Sequence, residues 1–334
     1  MTGLRLFLLA AVATAGSPAL ASGPVGVRDI AVVAPERQEP LSVTLWYPAG
    51  EGGTPERVGE NKVFRGAPVL RDAGVAEGAH PVVVLAHGGM RAAPNQSGWI
   101  ASALAARGML VAVVPPPRPA SPEAAVAEIW LRPADLSAAL TAVEAEPAIA
   151  GHAEPGPAAA VGFFLGGTSV LSLAGARLDA ESHARSCDTP AGGADCAWFA
   201  AAGVDLRAAD AVKLARSGFD PRIGTVVAID PELTAHLAAG SFTGMTARVT
   251  VINLGDPGSI APFLDASGLQ AEGVAYTALA GATPFSAMAA CQPHGAGILA
   301  EEGEDDEICR EDAALRERTH ARLADMIAEA VGNQ

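Results

Sequence analysis

The feature that most limits what this chain can become is a rhythm. Continuous apolar runs recur at 81–86 (P-V-V-V-L-A), 109–114, 157–162, 223–229 and 248–254, with a weaker one at 274–279. Short apolar runs without alternation read as strands buried on both faces. Helical stretches separate them: 97–107, stopped by Gly108, then 135–146, 166–177, and a long closing helix over 313–331. Pro133 suits the first turn of the second helix. Strands alternating with helices of about a dozen residues build βαβ units with right-handed crossovers. The expected fold class is α/β: a mostly parallel central sheet with helices on both faces. Runs at 25–33 and 41–47 add a hairpin or sheet edge, 50–78 reads as an irregular excursion, and the proline-rich 115–122 as loop. No internal repeat is visible. Residues 178–222, with a helical patch at 206–216, break the rhythm. They read as a small cap insertion over the C-terminal edge of the sheet, where ligands bind in such folds.

Half of the 334 residues are apolar, enough for one large core. A formal net charge of −15 repels phosphate backbones and anionic lipid, so nucleic acid and membrane surfaces are not expected partners. At the N-terminus, Arg5, an apolar stretch at 6–15 and Ala19-Leu20-Ala21 form an export signal over 1–21, cut before Ser22 and too short to span a membrane. That leaves one domain over 22–334, in the periplasm or outside the cell. The cysteines fall as two local pairs, Cys187 with Cys196 and Cys291 with Cys309. Three connectivities are available, and local bridges are the economical one in an exported chain. Neither pair has C-x-x-C spacing or a neighbouring histidine pair, so no metal is expected, and no cofactor. The acidic run at 301–306 lacks the ligand order of a calcium loop and reads as a solvated loop.

Two glycine-bearing turns follow the first and third buried strands. Val161-Gly162-Phe163-Phe164-Leu165-Gly166-Gly167 sits between strand and helix, as a nucleophile elbow does. Glycines at 162, 166 and 167 allow such a turn to close tightly, yet its centre is Phe164. Leu85-Ala86-His87-Gly88-Gly89 stands where a backbone oxyanion loop would lie, with Leu165 as the residue after the elbow tip. The plain alternative is a tight turn with His87 as a hydrogen-bonded structural residue.

With Leu45-Trp46-Tyr47-Pro48, Leu131-Arg132-Pro133-Ala134-Asp135-Leu136 and Ile229-Asp230-Pro231, these residues make the chain resemble an α/β-hydrolase. The likeness is to the exported bacterial dienelactone-hydrolase-like group, related to platelet-activating-factor acetylhydrolases, and runs from about Val25 to the final helix. It implies an R-P-x-D-L helix start, serine at 164, an acid after a late strand and histidine before Phe285. The sequence departs twice: position 164 is Phe, and Pro284 in Gly281-Ala282-Thr283-Pro284-Phe285-Ser286 takes the histidine's place. Neither residue carries nucleophilic or basic chemistry. The acid position is either Asp256, as in the dienelactone arrangement, or Asp230, as in the acetylhydrolase arrangement. Either carboxylate also reads as a helix cap or turn former.

Substitutes are poor. Thr168 and Ser169 fall inside the following helix. His294 is the nearest replacement base, while His183 and His320 are expected at the surface. A phenylalanine in strained elbow geometry costs about 1–3 kcal/mol, so the turn is expected to relax or Phe164 to fill the old pocket. Three functions follow from these readings. The first is a degenerate hydrolase that binds a small-molecule ligand or a periplasmic protein partner. The second is an active esterase or lactonase with non-standard residues. The third is a structural subunit of a periplasmic complex.

Overall fold

A computed structural model describes residues 23–90, 96–188 and 192–333. The export signal expected over 1–21 lies outside them. Ten strands form one sheet in the order β10-β9-β8-β7-β5-β6-β2-β1-β4-β3. The strands are β1 Val25–Val32, β2 Leu41–Pro48, β3 Thr54–Val58, β4 Ala67–Arg71, β5 Val82–Ala86, β6 Leu110–Val113, β7 Ala158–Phe163, β8 Ile223–Ile229, β9 Arg248–Leu254 and β10 Ala275–Leu279. The six strands from β10 to β6 are parallel neighbours. β2 joins β6 and β1 antiparallel, so the sheet is mixed at that side. The apolar runs read from the sequence all fall on β5–β10.

The helices are α1 Gly98–Ala105, α2 Pro122–Ala125, α3 Glu128–Ala145, α4 Leu165–Ala174, α5 Ala180–Ala184, α6 Cys196–Ala202, α7 Ala211–Leu214, α8 Gly295–Glu302 and α9 Ala313–Gly332. Alternate side chains of a strand point to opposite faces, and β5 shows the result. Val82, Val84 and Ala86 pack with Leu136 and Leu140 of α3 and with Leu171 of α4. Val83 and Leu85 pack with Ile100 and Leu104 of α1 and with Leu323 and Ile327 of α9. The chain leaves β5 for β6 on one side and returns through α3 to β7 on the other. The C-terminal ends of β5 and β7, paired at Ala86 and Gly162, therefore flank a topological switch point.

Four expectations are corrected. Residues 50–78 hold the antiparallel β3–β4 pair, whose outer strand is polar and exposed and so shows no apolar run. The R-P-x-D-L motif does not start a helix. The helix α3 begins at Glu128, and Pro133 lies inside it, where it withholds one backbone donor. The 206–216 patch splits, because the Asp210 side chain accepts from the N–H groups of Val212 and Lys213 at 3.0 Å each and opens α7 afresh. Finally, His183 and His320 are not surface residues. His183 is 1 % exposed, and the His320 ring stacks on Trp99 with centroids 3.6 Å apart.

The two disulfides are the local ones. Cys187–Cys196 has a Cα separation of 5.2 Å and Cys291–Cys309 one of 5.7 Å. The first ties α6 to the residues after α5. Residues of the 178–222 segment form a small core of their own, with Leu178, Phe199, Leu206 and Leu214 packed on Met90, Ile129 and Leu165. Among the described residues, no helix is long and apolar enough to cross a membrane.

Candidate functional site

The elbow keeps its strained geometry. Phe164 has φ 57° and ψ −124°, so the expected relaxation has not occurred. Close approach explains the flanking glycines. A Cβ on Gly162 would stand 2.1 Å from the Gly166 carbonyl oxygen, and one on Gly166 would stand 2.4 Å from that of Ala86. Gly167 lies against Pro231, 3.0 Å from where its own Cβ would be. The helix α4 can sit this close to β5 and β7 only while these positions lack side chains.

Phe164 fills the space that the turn defines. It is 7 % exposed, joins the core beneath α1 and α9, and meets the His87 ring edge-on at 5.8 Å. Its neighbour Leu165 turns the other way, into the core of the 178–222 segment. The elbow thus joins two hydrophobic bodies through successive side chains.

The His87-Gly88-Gly89 loop is strapped to the elbow from three sides. The Gly166 N–H donates to the Gly88 carbonyl at 3.3 Å, and the Gly88 N–H donates to the Phe163 carbonyl at 3.2 Å. Arg132 adds Nη1 to Gly88 O at 2.7 Å and Nη2 to Gly89 O at 2.8 Å. Arg132 is 3 % exposed and is itself held by Glu128 at 3.3 Å. Glu128 pairs with Arg37 at 2.6 Å, and Arg37 also grips Asp135 at 2.6 Å. Burial pushes the Arg132 pKa down and the Asp135 pKa up, while Glu128 and Arg37 respectively oppose those shifts. This Arg37–Glu128–Arg132–Asp135 network went unread in the sequence. Its one signal was R-P-x-D-L, whose Arg132 and Asp135 brace the loop from the middle of α3.

His87 connects the site to the loop that carries Pro284. Its Nε2 lies 2.9 Å from the Ala287 carbonyl, which also accepts from Trp99 Nε1 at 3.0 Å. Burial lowers the His87 pKa to about 4, so the ring is neutral at pH 7 and Nε2 carries the donated hydrogen. Pro284 opens a short 3₁₀ turn, Pro284–Ala287, a position where proline's missing N–H costs nothing. The turn is fixed from within by the Thr283 N–H on Ser286 Oγ at 3.0 Å, and Ser286 Oγ donates to Glu311.

The two acid candidates occupy different surroundings. Asp256 lies beyond β9 at the surface, where Oδ1 accepts from the Gly281 N–H at 3.2 Å, in the loop that leads to Pro284. Asp230 lies beyond β8, fully buried, with φ 42°. Its Oδ1 accepts from Asn253 Nδ2 and the Leu254 N–H at 2.8 Å each, while Oδ2 has no partner among the described residues. Burial raises the Asp230 pKa to about 7 against those two hydrogen bonds.

Thr168 and Ser169 are buried in α4 with their hydroxyls spent on the carbonyls of Glu232 and Leu165. His294 is exposed at the start of α8. The elbow, the His87 loop, the Pro284 loop and the two aspartates thus gather at one sheet edge. No serine, threonine or histidine stands at the elbow tip or at position 284.

Comparison with family models and with curated proteins finds no match to this sequence. Solved structures do match. A ferulic acid esterase from Streptomyces cinnamoneus superposes with a TM-score of 0.55 at 15 % identity, covering 95 % of this chain and 92 % of that one. A dienelactone hydrolase-like promiscuous phosphotriesterase from metagenomic libraries gives a TM-score of 0.50 at 14 % identity, with 92 % and 99 % covered. At such identities the likeness speaks for the fold alone: an α/β-hydrolase fold with a ten-stranded, mostly parallel sheet.

Proposed function

We propose that this chain is a member of the exported dienelactone-hydrolase-like group that has given up ester and lactone hydrolysis and works by non-covalent binding, of a small molecule first and of a periplasmic protein partner second. The observation that carries this reading is Phe164. It sits at the tip of a turn that retains the backbone of a nucleophile elbow, yet it offers no nucleophilic atom and shields the turn with its ring. Pro284 supports it, since a serine restored at 164 would still meet no base there. Oxyanion donors and binding alone leave about 10³–10⁴-fold acceleration over water in triad-deleted enzymes, far below a working hydrolase.

The retained parts fit a binding protein. Gly162, Gly166 and Arg132 hold the sheet edge rigid, and residues 178–222 act as a cap over it. Two disulfides, with the export signal expected at the N-terminus, favour a life outside the cytoplasm.

Turnover of short-chain p-nitrophenyl esters tests the reading. Wild type is expected to match a buffer blank, and Phe164→Ser with Pro284→His to exceed it. Hydrolysis by wild type that vanishes in a single serine or threonine variant overturns the proposal.

A further inference from the structure

A cavity of about 310 Å³ lies between the 178–222 segment and the loops after β8 and β9, within the size range of small-ligand pockets. Its apolar walls include Met90, Phe199, Leu206, Leu233, Pro262 and Phe263. Two histidines from different elements complete it. His236 is half-buried, and its ring is oriented by the Ser182 hydroxyl, 2.9 Å from Nδ1. Its Nε2 has no hydrogen-bond partner among the described residues. The His183 ring stands edge-on to it, centroids 6.4 Å apart, and is 1 % exposed. Neither nitrogen of His183 has a hydrogen-bond partner among the described residues.

A buried polar group without a partner costs about 1–3 kcal/mol. The fold therefore carries an imidazole that no described residue satisfies, edge-on to a second imidazole with an uncommitted nitrogen. Burial lowers the pKa of both rings, His183 to about 4, so each is neutral at pH 7 and presents one donor and one acceptor. The remaining charges of the described residues do not favour an anion. Asp195 and Glu232 line the same cavity with contacts of their own, and the Arg185 guanidinium is paired with Glu181 at 2.6 Å.

We propose that this cavity binds a compact, neutral, mainly hydrocarbon molecule bearing a hydroxyl group, which the His183–His236 pair recognises by hydrogen bonding. The proposal deepens the binding reading above and rests on it. The hydroxyl meets the uncommitted nitrogen of His236, and small rotation of the rings brings His183 into the same network. The hydrocarbon body replaces water against Met90, Phe199 and Phe263.

The test is calorimetric titration of the full chain at pH 7 with four probes of one shape: p-cresol, toluene, p-toluate and 4-methylbenzylamine. One hydrogen bond is worth about tenfold in affinity. Binding of p-cresol at least about tenfold tighter than toluene is expected. In His183→Phe and His236→Phe that ratio should fall below about threefold, while His183→Phe melts no lower than wild type because it removes unsatisfied atoms. Should a variant misfold, ¹⁵N-imidazole spectra of wild type serve instead, and p-cresol is expected to shift both His183 and His236.

Equal binding of p-cresol and toluene, tighter binding of p-toluate or 4-methylbenzylamine, no binding at all, or unmoved histidine signals overturns this inference. Ester turnover separates the two claims. An inert protein that ignores p-cresol loses only this inference, and a hydrolase that binds it loses only the non-hydrolytic reading.

Discussion

The sheet edge around the elbow and the 178–222 segment touch at Leu165, but they are held together by different physics. At the edge, backbones approach so closely that Gly162 and Gly166 cannot carry a Cβ, and a buried network of Arg37, Glu128, Arg132 and Asp135 braces the loops. The segment is built from short helices, the Cys187–Cys196 bridge and exposed ion pairs such as Arg185–Glu181. The edge has packing and braces but no reactive group at its tip. The segment has lesser packing, yet it holds the unsatisfied polar atoms of His183. Rigidity and recognition have separated. On the proposed reading the elbow serves as scaffold; Asp230 Oδ2 is unsatisfied there but fully buried, whereas the unsatisfied His183 lines the cavity of the segment above it.

The sharpest way to break this contrast is to cut one brace on each side. Arg132→Ala should cost about 3–5 kcal/mol in urea denaturation, because it leaves Glu128 and two loop carbonyls short of a buried partner. Arg185→Ala should cost less than about 1 kcal/mol. Equal losses would erase the distinction. Glycine substitution makes the same comparison through sterics. Gly162→Ala, with its Cβ 2.1 Å from a carbonyl oxygen, should cost about 3 kcal/mol. Gly203→Ala, at φ 72° in open space after α6, should cost about 1 kcal/mol.

Acid sharpens the comparison further. His183 has a folded pKa of about 4, below its ordinary value near 6.5. The native state therefore binds fewer protons than the unfolded chain across that window. Its contribution is intact above about pH 6.5 and is lost as pH falls toward 4, about 3 kcal/mol at most. His183→Phe should flatten that slope. Asp230 has the opposite sign. Its folded pKa of about 7 lies above the ordinary 3.8, so stability present in acid is lost as pH rises toward and through 7. Asp230→Asn should therefore gain on wild type at pH 8 relative to pH 5, whatever its cost at either. Melting curves at pH 4.5, 6.5 and 8 separate the two signs. Smaller and local is the effect of Cys187→Ser with Cys196→Ser, about 2–3 kcal/mol for so short a loop. It should speed amide exchange in α5 and α6 and leave β5 and β7 protected. Uniform acceleration would mean that the two regions open as one.

The parts legible in the sequence were those set by local pattern. The continuous apolar runs marked β5 to β10, since parallel strands covered on both faces leave no alternation to disguise them. The glycines at 162 and 166 marked the elbow, because close backbone approach admits no other residue. The misplacements came from long-range physics. Pro133 looked like a helix start, but α3 begins one and a half turns earlier, at Glu128, which with Asp135 meets Arg37, 98 residues from Asp135 in the chain. His183 and His320 carried no burial signal, lying in polar stretches whose partners come from the loop after β8 (His236), from α1 (Trp99) and from the turn at Ser286 to Met288. Phe164 was legible as a substitution, but its retained φ of 57° was not. Backbone bonds hold that turn: the Phe164 N–H donates to the Ile229 carbonyl at 3.0 Å, and the Phe164 carbonyl accepts from the N–H groups of Thr168 and Glu232 at 3.2 and 3.3 Å.

A preserved elbow that is proposed to lack chemistry has two halves, and covalent labelling tests both at once. A fluorophosphonate probe should leave the wild-type chain unlabelled at every serine and threonine. It should label Phe164→Ser with Pro284→His at position 164 alone, as peptide mapping by mass spectrometry would show. Specific labelling of a wild-type serine, or a well-folded double variant that stays unlabelled, would contradict it.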